Sequence, residues 1–262
     1  MEPSRLYLLL STIAFVAGFI HAIVAIRAGQ WRESRWHVIP VAVGFLFQTL
    51  FLYERVLLHG RCPRTNLGEI FIFIGWSLVL LYFLVGTTYR LSLLGVFTAP
   101  LLAILQTLVM FSPMPPPSAK VLAAKVNPWL EMHASLALMS YAAFALACIT
   151  GVMFLMQDYL LRKHQLHALF HQLPPIQALS KAVVRLVGLG VILLSVAMAF
   201  SFKIVDPIPA SKLVVGWSVL AFYAVILALM GFHTLGKRHT AWLAVLGFAA
   251  PFLSLWVVTT RS

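Results

Sequence analysis

The sequence predicts an all-α fold: a polytopic integral membrane helical bundle of about eight transmembrane helices, forming one domain over residues 1–262. Two observations carry this. Mean hydropathy is +0.95, with 61% hydrophobic and only 10% charged residues, more apolar surface than a soluble chain of this length can bury. The apolar runs are continuous, whereas an outer-membrane barrel needs alternation of apolar and polar residues.

Apolar runs set against charged and turn-rich breaks give spans at roughly 6–27, 38–58, 68–86, 91–111, 130–156, 183–203, 212–233 and 241–259. The first run, about Leu6 to Ile26, is too long for a signal peptide and lacks a small-residue cleavage site with a polar exit, so it reads as the first span. An even number of spans puts both termini on one side. With the termini outside, the inner loops hold Arg27, Arg32, Arg35, Arg90, Arg162, Lys163, Lys181, Arg185, Lys237 and Arg238, and nine of the 19 basic residues stay outside. Five of the seven acids also fall outside, which favours the same orientation slightly.

The formal charge of +12 comes from basic residues that flank spans. That distribution points to anionic lipid headgroups and away from nucleic acid. Cys62 falls in a loop and Cys148 in mid-span, a placement that argues against a disulfide between them. No C-x-x-C-H occurs, so the chain is not itself a c-type cytochrome.

Between the second and third spans the chain reads His59-Gly-Arg-Cys-Pro-Arg-Thr-Asn-Leu-Gly-Glu69. Thr65 or Asn66 can cap the third span, whose free N–H groups and dipole favour an anion. Arg61 and Arg64, with Arg55 nearby, add cationic partners, and Glu69 in the first turn also suits the dipole. Two readings fit: an anion-binding corner, or a capped helix with a solvated basic loop.

The fifth span is the most informative stretch. Pro128 opens it at the first helical turn, and no formal charge follows Glu131 until Asp158. Ala143, Ala147 and Gly151 recur every fourth residue, a seam of small residues suited to close helix approach in lipid. His133 sits one turn inside the entry end, with Ala137, Ser140, Tyr141 and Phe144 following on its face. Two roles fit it: a metal ligand, or an interfacial histidine pairing with Glu131 or water. Tyr141 and Trp129 read first as core and interface anchors. His21, deep in the first span, is either a functional ionisable group or a satisfied core histidine. His164, His167 and His171 would share one helix face, either a surface helix or a zinc or copper site.

Three blocks resemble the CcsA/HemX-like cytochrome c assembly family. The first runs from Gly44-Phe-Leu-Phe-Gln-Thr-Leu through Gly60-Arg-Cys-Pro-Arg-Thr-Asn-Leu-Gly-Glu69 to Trp76, similar to a G-x-x-P-x-T/S-N-L-x-E core before an aromatic span. The second is Trp129-Leu-Glu-Met-His133, continuing to Ser140-Tyr-Ala-Ala-Phe144. The third is Leu173-Pro-Pro, then Arg185-Leu-Val-Gly-Leu-Gly-Val-Ile-Leu-Leu194. The resemblance covers most of the chain from about residue 44 and implies eight spans with the termini outside.

What the resemblance implies is haem. His133 would be an outer axial ligand, with Arg55, Arg61 and Arg64 on the propionates, and His233 matches an inner-side histidine, unless it is an ordinary helix-end residue beside a basic flank. It implies further a bacterial inner membrane location, with apocytochrome c or other assembly proteins as partners. The sequence also departs from the family. The tryptophan-rich segment of the synthase members falls at Lys203-Ile-Val-Asp-Pro-Ile-Pro-Ala-Ser-Lys212, which has no tryptophan, and Gln48 stands where an intramembrane histidine is usual. The chain is therefore expected to be closest to the shorter HemX-type and YpjD-type members, an accessory and not a stand-alone enzyme. A non-haem membrane scaffold or regulatory subunit is the alternative. A transporter would call for an internal repeat or broken helices with midplane charges.

Overall fold

The computed structural model describes residues 3–27, 38–62, 66–89, 94–112, 125–163, 174–204, 210–231 and 236–260. These residues form nine helices and no strand: α1 Pro3–Arg27, α2 Ile39–His59, α3 Leu67–Tyr89, α4 Leu94–Met110, α5 Pro128–Arg162, α6 Ile176–Ser201, α7 Ala210–Gly231, α8 Lys237–Gly247 and α9 Ala249–Thr260. Six of the helices (α1, α2, α3, α5, α6 and α7) are long and apolar enough to cross a membrane, and α4 is a shorter apolar helix. Leu57, Ile104, Leu108, Ile192 and Val214 are exposed. An apolar exterior is what lipid requires of a bundle whose backbone polar groups are satisfied within helices.

The helix bounds depart from the expected spans in three places, and in one of them α6 starts at Ile176, ahead of the span expected from 183. The expected span at 241–259 is two helices, α8 and α9, meeting at Phe248. Pro251 explains the break: it has no N–H for the carbonyl of Gly247, and its ring crowds that carbonyl. In contrast, α5 outlasts its apolar segment, reaching Arg162 over 35 residues. Its polar tail holds an i,i+4 pair, Arg162 Nε donating to Asp158 Oδ2 at 2.9 Å.

The helices fall into two compact units, α1–α4 and α5–α9. In the first, α2 ends and α3 begins at the same end: Arg55 pairs with Glu69. The start of α1 and the end of α4 join them, through Arg5 Nη1 donating to Met110 O at 3.3 Å and the close approach of Val109 to Gly68. Deeper in, a polar knot ties three helices. Ser11 Oγ donates to Gly44 O (2.8 Å), Thr12 Oγ1 lies 3.0 Å from Gln106 Oε1, and Gln106 Nε2 reaches Ser11 Oγ at 3.2 Å. In hydrocarbon such groups must pair with one another, which fixes the helix register.

In the second unit α5 is central. Asn127 Oδ1 accepts from Trp129 N at 3.1 Å and Pro128 follows, so the helix starts where the sequence predicts. Ala143, Ala147 and Gly151 are all buried, and a Cβ on Gly151 would stand 3.0 Å from Ala241 O of α8. The neighbouring face meets α6, where Gly190 accepts the ring of Phe144. Phe144 stacks in turn on Tyr223 of α7, with centroids 3.6 Å apart. Tyr141 reaches Ser254 of α9 at 2.8 Å. Ser254 Oγ spends its proton on Pro251 O (2.7 Å), so Tyr141 is the donor between them.

Candidate functional site

His133 lies one turn inside the N-terminus of α5, half-buried. Its Nδ1 is 2.7 Å from Ala197 O, near the end of α6. A carbonyl only accepts, so Nδ1 carries the proton and the Nε2 of the neutral ring keeps its lone pair. This is the arrangement of a metal-ready imidazole: one nitrogen anchored to the backbone, the other available as donor.

One turn nearer the helix end, Trp129 of α5 packs on Phe200 of α6 with centroids 5.5 Å apart. Lys203 Nζ lies 4.6 Å above the Trp129 ring. Phe202, at the same end of α6, lies 6.0 Å from Trp217 of α7. Trp129, Phe202, Lys203 and Trp217 are all exposed. The second unit thus gathers an imidazole, a wall of aromatic rings and a cation at one end.

The arginines belong to the first unit. Arg55 is only 2% exposed, and its Nε donates to Glu69 Oε1 at 2.7 Å while Nη2 contacts the same oxygen. His59, also buried, donates Nδ1–H to Arg55 O at 2.8 Å and turns Nε2 toward Glu69 Oε1 at 3.7 Å. Asn66 Oδ1 accepts from Glu69 N at 2.9 Å, so Asn66 caps α3 while the Glu69 carboxylate serves Arg55. Arg61 follows the left-handed cap at Gly60 and is half-buried. Arg64 and His233 lie outside the described residues, as do His164, His167 and His171. The charge of Arg55 is therefore matched locally by a carboxylate.

Gln48 is fully buried, and neither of its amide atoms has a hydrogen-bond partner. Its Nε2 rests against Gly75, where a Cβ would stand 3.3 Å away. Among the described residues no group of three or more His, Cys, Asp or Glu could hold a metal ion. A haem differs in its demands, because its ring supplies four of the iron's ligands and the protein need add only an axial one. His133 with its anchored Nδ1, the Trp129–Phe200 wall and Lys203 fit that group.

The sequence marks His133 as a candidate and Trp129 as an interface anchor, but not the residues of the other helices that stand beside them. Trp129 stands four residues before His133, on the same helix face, a signal that was available. His59 likewise follows Arg55 by four. Ala197, Phe200 and Lys203 are more than 60 residues from His133, and no local pattern links them.

A family model described as Cytochrome C assembly protein matches residues 65–260. Protein HemX of Brevibacillus brevis is 27% identical over 247 residues, spanning 80% of this chain and 90% of that protein. The cytochrome c biogenesis protein CcsA of Chlorella vulgaris is 34% identical over 110 residues, 41% of this chain and 35% of its own length. Protein HemX of Bacillus subtilis is 28% identical over 123 residues, 47% of this chain and 45% of that protein. The matches to the Chlorella CcsA and the Bacillus HemX thus cover less than half of either protein.

Proposed function

The chain belongs to the family of cytochrome c assembly proteins, a membership that supports a role in cytochrome c biogenesis, and we propose that its part in that role is to bind and hand on haem as an accessory membrane component. The observation that carries this reading is the His133 Nδ1–H bond to Ala197 O, which leaves Nε2 free to donate to iron. A bound haem would bring an iron that takes neutral nitrogen ligands, a flat apolar ring and two carboxylates. The chain's own residues then divide the work. The Ala197 carbonyl fixes the tautomer and orientation of His133, and α5 and α6, packed together at Gly190, hold the two ends of that bond in register.

The accessory reading is supported by the 203–212 segment, which has no tryptophan-rich platform to present haem to an apocytochrome. The proposed setting is the bacterial inner membrane with both termini outside, which puts the start of α5 at the outer surface. Apocytochrome c or other assembly proteins are the proposed partners there.

The test is spectroscopic. Protein purified after growth with ample haem is expected to show a Soret band that His133→Ala removes for the most part, while His233→Ala retains an outer-bound haem. A colourless wild-type protein would replace this reading with the scaffold alternative.

A further inference from the structure

The end of the second unit is richer than one histidine requires. Three helices contribute to it: α5 gives Trp129 and His133, α6 gives Phe200 and the turn just after it Phe202 and Lys203, and α7 gives Trp217. His133 is four residues after Trp129, and Ala197 is three before Phe200, so the imidazole anchor lies one helical turn deeper than the aromatic pair. Lys203 and the Trp129–Phe200 pair thus lie at the helix ends, with the anchored imidazole one turn further in. Tryptophans at a membrane interface are commonly anchors. Anchoring alone does not call for a lysine folded back over Trp129, nor for an imidazole one turn below with a nitrogen left to donate.

We infer that Trp129, Phe200 and Lys203 are the specificity residues of the His133 site, the two rings bearing on a porphyrin plane and the ammonium on one of its carboxylates. This rests on the haem-handling reading for the iron, but the ring and carboxylate contacts need no iron. The charge is complementary: Lys203 offers a point charge for a carboxylate at the interface, where a charge-assisted bond exceeds the cation–π contact it replaces.

The experiment uses the full chain in lipid nanodiscs, titrated with metal-free protoporphyrin IX or with its dimethyl ester. Porphyrin fluorescence anisotropy is the readout, and empty nanodiscs correct for partitioning. Lys203→Gln is expected to weaken binding of the free acid about tenfold, Lys203→Arg to restore it, and neither to change binding of the ester. Trp129→Leu is expected to weaken both ligands, again about tenfold. Free-acid binding that is unchanged in Lys203→Gln and Trp129→Leu would overturn the inference. Added haem keeps the two readings apart. If His133→Ala keeps the wild-type haem spectrum while the Lys203 discrimination holds, the iron-ligand reading falls and this one stands. If His133→Ala loses the haem band while all variants bind porphyrin alike, this one falls and the iron-ligand reading stands.

Discussion

Glu69 answers two demands at once, and they come from different parts of the chain. As the third residue of α3 it places a carboxylate near a positive helix end, which the local sequence already requires. As the partner of Arg55 it neutralises a guanidinium that is 2% exposed. Removing one member of such a pair leaves a buried charge uncompensated, whereas replacing both with apolar groups does not. Glu69→Ala should therefore destabilise the purified protein by about 3–5 kcal/mol in denaturant titration, and Arg55→Leu combined with Glu69→Leu should recover most of that loss. A Glu69→Ala variant as stable as the parent would mean that solvent reaches the pair. His133 is the parallel case: its type and position are read from the sequence, but its tautomer is set by a carbonyl 64 residues away.

The elements are held by close approach as much as by apolar bulk. Gly190 is the sharpest instance, since a Cβ there would stand 2.3 Å from Phe144 Cε1. The ring cannot simply swing away, because it is stacked on Tyr223. Gly190→Ala must therefore part α5 from α6 or unstack the rings. The expected cost is about 1–3 kcal/mol, read as a lower midpoint of thermal unfolding in detergent. Because α5 and α6 also carry the two ends of the His133–Ala197 bond, the same variant should lower haem retention without touching the ligand. Stability equal to wild type would show that the helices have slack at this point. The α8–α9 break teaches the complementary lesson. One proline divides a hydrophobic run that composition alone reads as continuous.

For the whole molecule, the consequential assignment is the side on which the α2–α3 corner lies. The proposed orientation, with both termini outside, puts it outside, on the family resemblance and a small difference in charge between the two sets of loops. Cys62 stands in that corner, and Cys148 stands between α5 and α8, its Sγ 3.8 Å from Val245 O. In a Cys148→Ala background, a thiol reagent that cannot cross the membrane should label Cys62 in intact cells. Labelling that appears only after permeabilisation would reverse the orientation and turn the start of α5 to the cytoplasm.

The sequence by itself determined the class, the order of the helices and the chemistry to look for. Hydrophobic runs are a direct consequence of lipid as solvent, and the Asn127-Pro128 start and the small-residue seam of α5 are local rules that tertiary packing did not override. His133 was legible because an imidazole at the mouth of such a helix is uncommon. Only the tertiary structure decided which groups face one another. Arg55, expected to meet a propionate, is matched by Glu69 because two antiparallel helix ends bring a cation and a carboxylate together across a 14-residue separation. The surroundings of His133 come from α6, at a separation no helical period encodes. A lipid-facing helix has no strongly marked inner face in its sequence, because both its faces are apolar. Which face meets a neighbour is then fixed by side-chain fit at positions such as Gly190 and Gly151, and fit exists only once the helices are side by side.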